Sequence, residues 1–238
     1  ILIVSGGLLY YFQDKYFVQK VNSKSVAVLP FENFSANPED EYLSDGFTEV
    51  IIANLAKVKD LMVISRTSVM RYKGKDMNLK EVAEELGVSN ILEGSIQRNG
   101  NKIRVVGQLI EADSDRHLWS ETYDEEFEDI FSIQTSIAKE IASALKSQIT
   151  AGEKSDIEDK LTDNIDAYQY YLKGLEKEKR ADWWNEDNTR LTIEMFTNAV
   201  NLDPEFSEAY AMQSLVYSKT VHFGVWRNKE TINKSLQL

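Results

Sequence analysis

Residues 89–97, SNILEGSIQ, and 103–111, IRVVGQLIE, are two runs in which apolar and polar residues alternate, joined by Arg98-Asn99-Gly100-Asn101. Alternation with a period of two places one apolar side chain in every second position on one face of a strand. Asn-Gly suits the left-handed backbone of a tight hairpin turn, so the pair reads as a β-hairpin. Downstream, Asp113-Ser114-Asp115 reads as a second turn and Arg116–Tyr123 (RHLWSETY) as a third antiparallel strand. These three strands fix the reading of everything around them.

Upstream, SVAVLPFENF opens with Val26, Ala27, Val28, Leu29 and Phe31, a short β-branched run ended by Pro30 that suits a strand buried on both faces. Pro38 and the acids Glu39, Asp40 and Glu41 then mark a helix start, where negative charge meets the positive end of the dipole. Phe47, Ile51 and Leu55 recur at helical spacing behind them. LMVIS (61–65) reads as a further strand, and LKEVAEELG (79–87) as a short helix stopped by Gly87. After the hairpin strands, Ile130, Ile133, Ile137, Ile141, Leu145 and Ile149 fall three or four apart, as on one long helix. This order of elements implies an α/β (α+β) domain over residues 25–150, with one mixed sheet and flanking helices.

The blocks LPF, DGFTE, KGK, LEGS and HLWSE occur in that order over about 125 residues, nearly without gaps. In them the segment resembles the TolB amino-terminal-domain-like family. That resemblance implies a mixed sheet with flanking helices. It also implies a setting: such domains commonly follow a single membrane helix and precede tetratricopeptide repeats. Class III nucleotide cyclase or winged-helix DNA-binding domains often stand upstream.

Both flanks of the domain agree with such a layout. The first twelve residues, ILIVSGGLLYYF, carry no charge. Twelve helical residues span about 18 Å against roughly 30 Å of bilayer hydrocarbon. Residues 1–20 therefore read as the end of a transmembrane helix, with Tyr10, Tyr11, Phe12, Tyr16 and Phe17 as interfacial aromatics. A trimmed signal-peptide core and an ordinary buried helix are the alternatives. Residues 151–164 (AGEKSDIEDKLTDN) are polar and read as a linker.

Residues 165–238 read as an incomplete, all-α tetratricopeptide array. Phe196, Ala199 and Pro204 match the marks of a second repeat helix, Gly174 matches the small position of a first, and Tyr210 and Tyr217 restart the pattern. Lys173, Gln213 and Ser214 depart from that pattern, and the Trp183-Trp184 loop stretches the repeat. Such arrays present a concave face to peptides or proteins.

Composition narrows function by exclusion. The 238 residues carry 39 acids against 27 bases, a net charge of −12, and residues 25–164 alone account for −12. Such a surface opposes nucleic acid, whose binding rests on cations set against phosphates. There is no cysteine and there are only two histidines, His117 and His222, so thiolate chemistry is absent and a histidine cage is disfavoured. No phosphate-binding glycine loop, nucleophile elbow or H-E-x-x-H motif occurs. Acid runs such as Asp124-Glu125-Glu126 and Glu128-Asp129 read as solvated or helix-start charge. No catalytic residue, metal ligand or cofactor is expected within this segment.

The candidate interaction residues are Arg71, Tyr72, Lys73 and Lys75, a basic aromatic loop on an acidic domain, and Trp183 and Trp184. The loop reads either as a solvated turn with Tyr72 packed on the sheet or as a holder of an anionic group. The tryptophans read either as buried against the neighbouring domain or as partner anchors. The expectation is a non-catalytic sensing and protein-interaction segment of a bacterial inner-membrane protein. Residues 25–238 are then periplasmic, with a protein or peptide partner, a membrane contact through the N-terminal helix and no nucleic acid. A homodimer is left open. The alternatives are the regulatory part of a membrane-bound class III adenylate or guanylate cyclase and an envelope-assembly accessory protein.

Overall fold

A computed structural model describes residues 22–180 and 185–223. The expected membrane helix at 1–20, Trp183, Trp184 and residues 224–238 lie outside the described residues. Among the described residues no helix is long and apolar enough to cross a membrane.

The chain enters through β1 (Ser25–Val28), wholly buried as its β-branched run requires. Pro30 then interrupts the strand because it has no N–H to give to a ladder. Leu29 N donates to Leu92 O at 2.8 Å before the break, and Phe34 N donates to Ile96 O at 2.7 Å beyond β2 (Glu32–Asn33). Helix α1 (Glu41–Ala56) follows a 3₁₀ turn at Pro38–Asp40. The expected strand at 61–65 contracts to β3 (Met62–Val63), after which the chain makes a single helical turn, α2 (Arg66–Val69). Helix α3 (Leu79–Leu86) is capped by the Asn78 side chain and stopped by Gly87 at φ 68°. The expected hairpin forms, β4 (Asn90–Asn99) to β5 (Lys102–Glu111), but Asn99 pairs with Lys102 in the ladder, so the turn falls on Gly100, at φ 63°, and Asn101 instead of on Asn99-Gly100.

Strand β6 runs Arg116–Glu126, three residues past the expected end. The sheet order is β3-β1-β4-β5-β6, with β2 also on β4. Strands β1, β2 and β3 pair in parallel and the β4–β5–β6 meander is antiparallel, so the sheet is mixed as expected. Helix α4 (Ile130–Ala144) ends earlier than its apolar register suggested. Lys146 turns left-handed at φ 53°, and Ile149 lies beyond the helix.

Residues 151–164, read from the sequence as a polar linker, are structured. They hold α5 (Ala151–Glu158), whose Thr150 and Glu153 form a reciprocal capping box. Ile157 and Thr162 are buried. Glu153 also accepts from Lys59 N at 3.0 Å, and these backbone N–H groups hold its carboxyl below the usual range. The strap is therefore packed onto the α/β unit rather than free of it.

Helices α6 (Ile165–Arg180), α7 (Glu186–Leu202) and α8 (Ser207–Phe223) complete the described chain. Gly174 is required where α6 meets α7, since a Cβ there would stand 2.6 Å from the Phe196 ring. Ala199 is fully buried, Tyr171 lies between Phe196 and Phe206, and exposed Pro204 sits in the turn between α7 and α8. Tyr210 and Tyr217 are half-buried on α8 and pack against separate clusters. The helices share an apolar interior with the sheet. Leu172 fits against Gly46 of α1, where a Cβ would approach it to 2.5 Å, and the buried Tyr168 ring meets Phe131 at 4.7 Å.

A candidate interaction groove on the open face of the sheet

The even-numbered residues of β4 and the odd-numbered residues of β5 face α1 and α4. Leu92, Ile96, Ile103, Val105 and Leu109 are buried there. Two glycines interrupt this face and lie opposite one another, Gly94 and Gly107. A Cβ on Gly94 would collide with the Phe31 ring and Val106 O, and one on Gly107 would meet the Trp119 ring at 2.9 Å. Phe31 is thus driven inward, 5.2 Å from Phe47. Its N–H, left without a ladder partner by the break at Pro30, donates to Thr48 Oγ1 at 2.9 Å. The Thr48 hydroxyl in turn donates to Ser44 O at 2.7 Å.

Turning Phe31 inward presents Pro30, Glu32 and Phe34 on the other side. There a groove of about 550 Å³ opens between Leu29–Phe34 and the 72–79 loop. Its floor is Glu93, Gly94 and Ser95 of β4 with Val106 and Gln108 of β5, and its far wall is Tyr72, Gly74, Lys75, Asp76, Met77 and Leu79. Phe34 is 61% exposed at its rim. The half-buried Glu93 carboxyl is held above the usual range, first by desolvation and then by Glu32, with His117 opposing. Three of the five blocks that carried the family resemblance, LPF, KGK and LEGS, contribute residues to this one groove.

The basic loop divides by role. Lys73 is tied to Glu41 and Asp45 of α1, both at 2.5 Å. Arg71 donates to Glu85 of α3 at 2.9 Å, donates to the Tyr72 hydroxyl at 2.9 Å and lies over the Tyr72 ring. Tyr72 is buried and donates to Glu85 at 2.5 Å, and burial together with that bond pushes its phenol up. Arg71 and Lys73 therefore satisfy internal carboxylates. Lys75 lines the groove, is exposed and makes no ion pair among the described residues.

Glu32, Phe34, Glu93, Ser95 and Gln108 were not singled out from the sequence. Each is an ordinary residue in its own segment, and only strand parity and the break at Pro30 bring them together. No cluster of three or more His, Asp or Glu suited to a metal ion occurs among the described residues.

Residues 22–140 match the family described as HilA/YgeH-like transcriptional regulator, second domain. The chain belongs to that family. The matched span runs from just before β1 to the last turn of α4, and so contains every residue of the groove. A Rhizobium meliloti (strain 1021) protein, whose name provisionally assigns it as adenylate cyclase 3, is 38% identical over 192 residues. The match covers 81% of this chain and 32% of that protein, so the chain spans about a third of the relative's length. Among solved structures, TolB from Acinetobacter baumannii superimposes with a TM-score of 0.39 and 16% identity over 52% of this chain and 28% of that one. Lipoprotein GNA1162 from Neisseria meningitidis gives 0.39 and 14% over 50% and 96%. The LpoB C-terminal domain from Escherichia coli gives 0.37 and 15% over 48% and 93%.

Proposed function

We propose that this chain is the non-catalytic sensing and protein-interaction segment of a single-pass bacterial membrane regulator. In this reading residues 25–238 are periplasmic, the HilA/YgeH-like domain receives a peptide or protein ligand in its groove, and the helices from 165 onward begin a tetratricopeptide array. The observation that carries it is the groove itself. Segments from four separate stretches of the chain converge there to give an exposed aromatic rim, an uncommitted ammonium at Lys75 and a polar floor. Exposed aromatic side chains commonly anchor protein interfaces, and polar groups beside them can fix the register of a bound segment.

Selection of a phage-displayed peptide library on the immobilised chain tests this. Selected peptides should lose affinity by about tenfold or more on a Phe34→Ser/Lys75→Glu double variant. Both side chains are exposed, so folding stability should stay within about 0.5 kcal/mol of the parent. Equal retention on parent and variant rejects the groove as the binding surface. Reporter fusions after Asn22 and Leu238 test the topology: an alkaline phosphatase reporter should be active at both points, and a cytoplasmic reporter active at both overturns the periplasmic placement.

The Rhizobium meliloti relative favours a second reading, in which the segment is the regulatory part behind a class III cyclase domain. Cyclic AMP formation by the full-length gene product, compared with a form lacking residues 22–223, separates the two. Cyclase output that depends on the segment supports the second reading, and no cyclic AMP from either form rejects it.

A further inference from the structure

Strand β6 ends the sheet. Its inner edge pairs with β5 in unbroken register from Trp119↔Leu109 to Glu126↔Lys102, and a register shift sets off the Arg116–Leu118 end. Among the described residues no strand pairs with its outer edge. That leaves an eight-residue regular edge, Trp119–Glu126, whose residues are exposed or half-buried. Free edges of this length invite pairing, and proteins usually blunt them with proline, lysine, short length or a covering element. Here the stretch WSETYDEE has neither proline nor lysine, and its only charges are negative.

The two faces of the edge differ. On the open face, Asp124 is neutralised by Arg104 through two bonds at 2.6 and 3.0 Å, and Glu126 accepts from Asn101 at 3.2 Å. On the helix face, Trp119 and Tyr123 both donate to Glu140 of α4, at 2.8 and 3.2 Å, and so stand fixed. Glu121 and Glu125 flank Tyr123 on that face, both exposed, and make no ion pair among the described residues. The free edge therefore offers the pattern negative, aromatic, negative at every second residue.

We infer that the outer edge of β6 accepts an extended segment of a partner protein that carries Lys or Arg, an apolar residue, and Lys or Arg at alternate positions, adding a strand to the sheet. Backbone pairing supplies the attachment and the alternate side chains supply the selectivity. Opposite charges directly across a ladder stabilise it, and like charges oppose it. A second copy of this chain fits less well, because Trp119–Glu126 has no positive charge to set against Glu121 or Glu125. Antiparallel self-pairing centred on Tyr123 sets Glu121 against Glu125 twice. Centring on Glu121 sets the two Glu121 side chains together and draws the Leu118 irregularity into the ladder. This surface is separate from the groove, and its fate does not decide that of the groove.

The test uses the full chain and a synthetic capped peptide, Thr-Lys-Thr-Val-Thr-Lys-Thr, with two controls: the same peptide with Glu for both Lys, and one N-methylated at alternate amides. The lysine peptide should bind and slow hydrogen exchange of alternate amides across 119–126. The glutamate and N-methylated peptides should each bind at least tenfold more weakly. A Glu121→Lys/Glu125→Lys variant should reverse the preference between the lysine and glutamate peptides. Undiminished binding of the N-methylated peptide would show attraction of charge without strand addition and overturn the proposal. So would absence of lysine-peptide binding at millimolar concentration, or concentration-dependent dimerisation of the parent chain that the same variant abolishes.

Discussion

The two faces of β4 and β5 are made by the same twenty residues and could hardly differ more. The even positions of β4 and odd positions of β5 place Leu92, Ile96, Ile103, Val105 and Leu109 beneath the helices and the rings of Phe31 and Trp119. The alternate positions bury Ile91 and Ile110 at one end and beyond them line an open groove with Glu93, Ser95, Val106 and Gln108. Strand parity thus separates a closed face from a partly open one, and the break at Pro30 joins them, because turning Phe31 in turns Phe34 out.

The most damaging way to break this division is to empty the closed face. Phe31→Ala removes a fully buried ring between Gly94 and Phe47 and should cost about 3–5 kcal/mol in urea unfolding, with groove binding lost as the 29–34 segment relaxes. Next is Thr48→Val, which keeps the side-chain shape but strands the Phe31 N–H. It should cost about 1–3 kcal/mol, again measured by denaturant unfolding. An unchanged midpoint would mean that another acceptor takes over that N–H.

The smallest effect belongs to the open face and runs the other way. The folded state holds the Glu93 proton more tightly than the unfolded chain does. Its contribution is therefore most favourable below the ordinary carboxyl pKa and is lost as pH rises through the raised one. Glu93→Gln should stabilise the chain at pH 7 by less than about 1 kcal/mol, and the gain should vanish near pH 4. Thermal melts of parent and variant at the two pH values check both the sign and its disappearance.

Local chemistry was legible wherever one residue type decides a backbone angle or a ladder. Gly100 marked the hairpin turn, one residue later than the Asn99-Gly100 reading, Gly87 the end of α3, and the β-branched run before Pro30 marked β1. What escaped depends on distant partners. The apolar register of α4 continues to Ile149, yet the backbone turns at Lys146, and no proline or glycine announces it. The strap at 151–164 looks solvated by composition, but Ile157 and the Glu153–Lys59 contact fasten it. The partners of the basic loop escaped because Glu41, Asp45 and Glu85, which occupy Arg71 and Lys73, lie up to thirty-two residues away. The groove was the least legible feature, being assembled by topology from residues unremarkable where they stand.

The DGFTE block at 45–49 shows how closely the parts are joined. Asp45 meets Lys73, Gly46 seats Leu172, Thr48 holds Phe31, and Glu49 meets both Arg66 and Lys179. Arg98 at the hairpin adds a bond to Gln169 at 2.9 Å while lying over the Phe127 ring. With the strap seated along the same flank, α6 is fastened to α1 and to the hairpin at several separate points instead of hanging from a free linker.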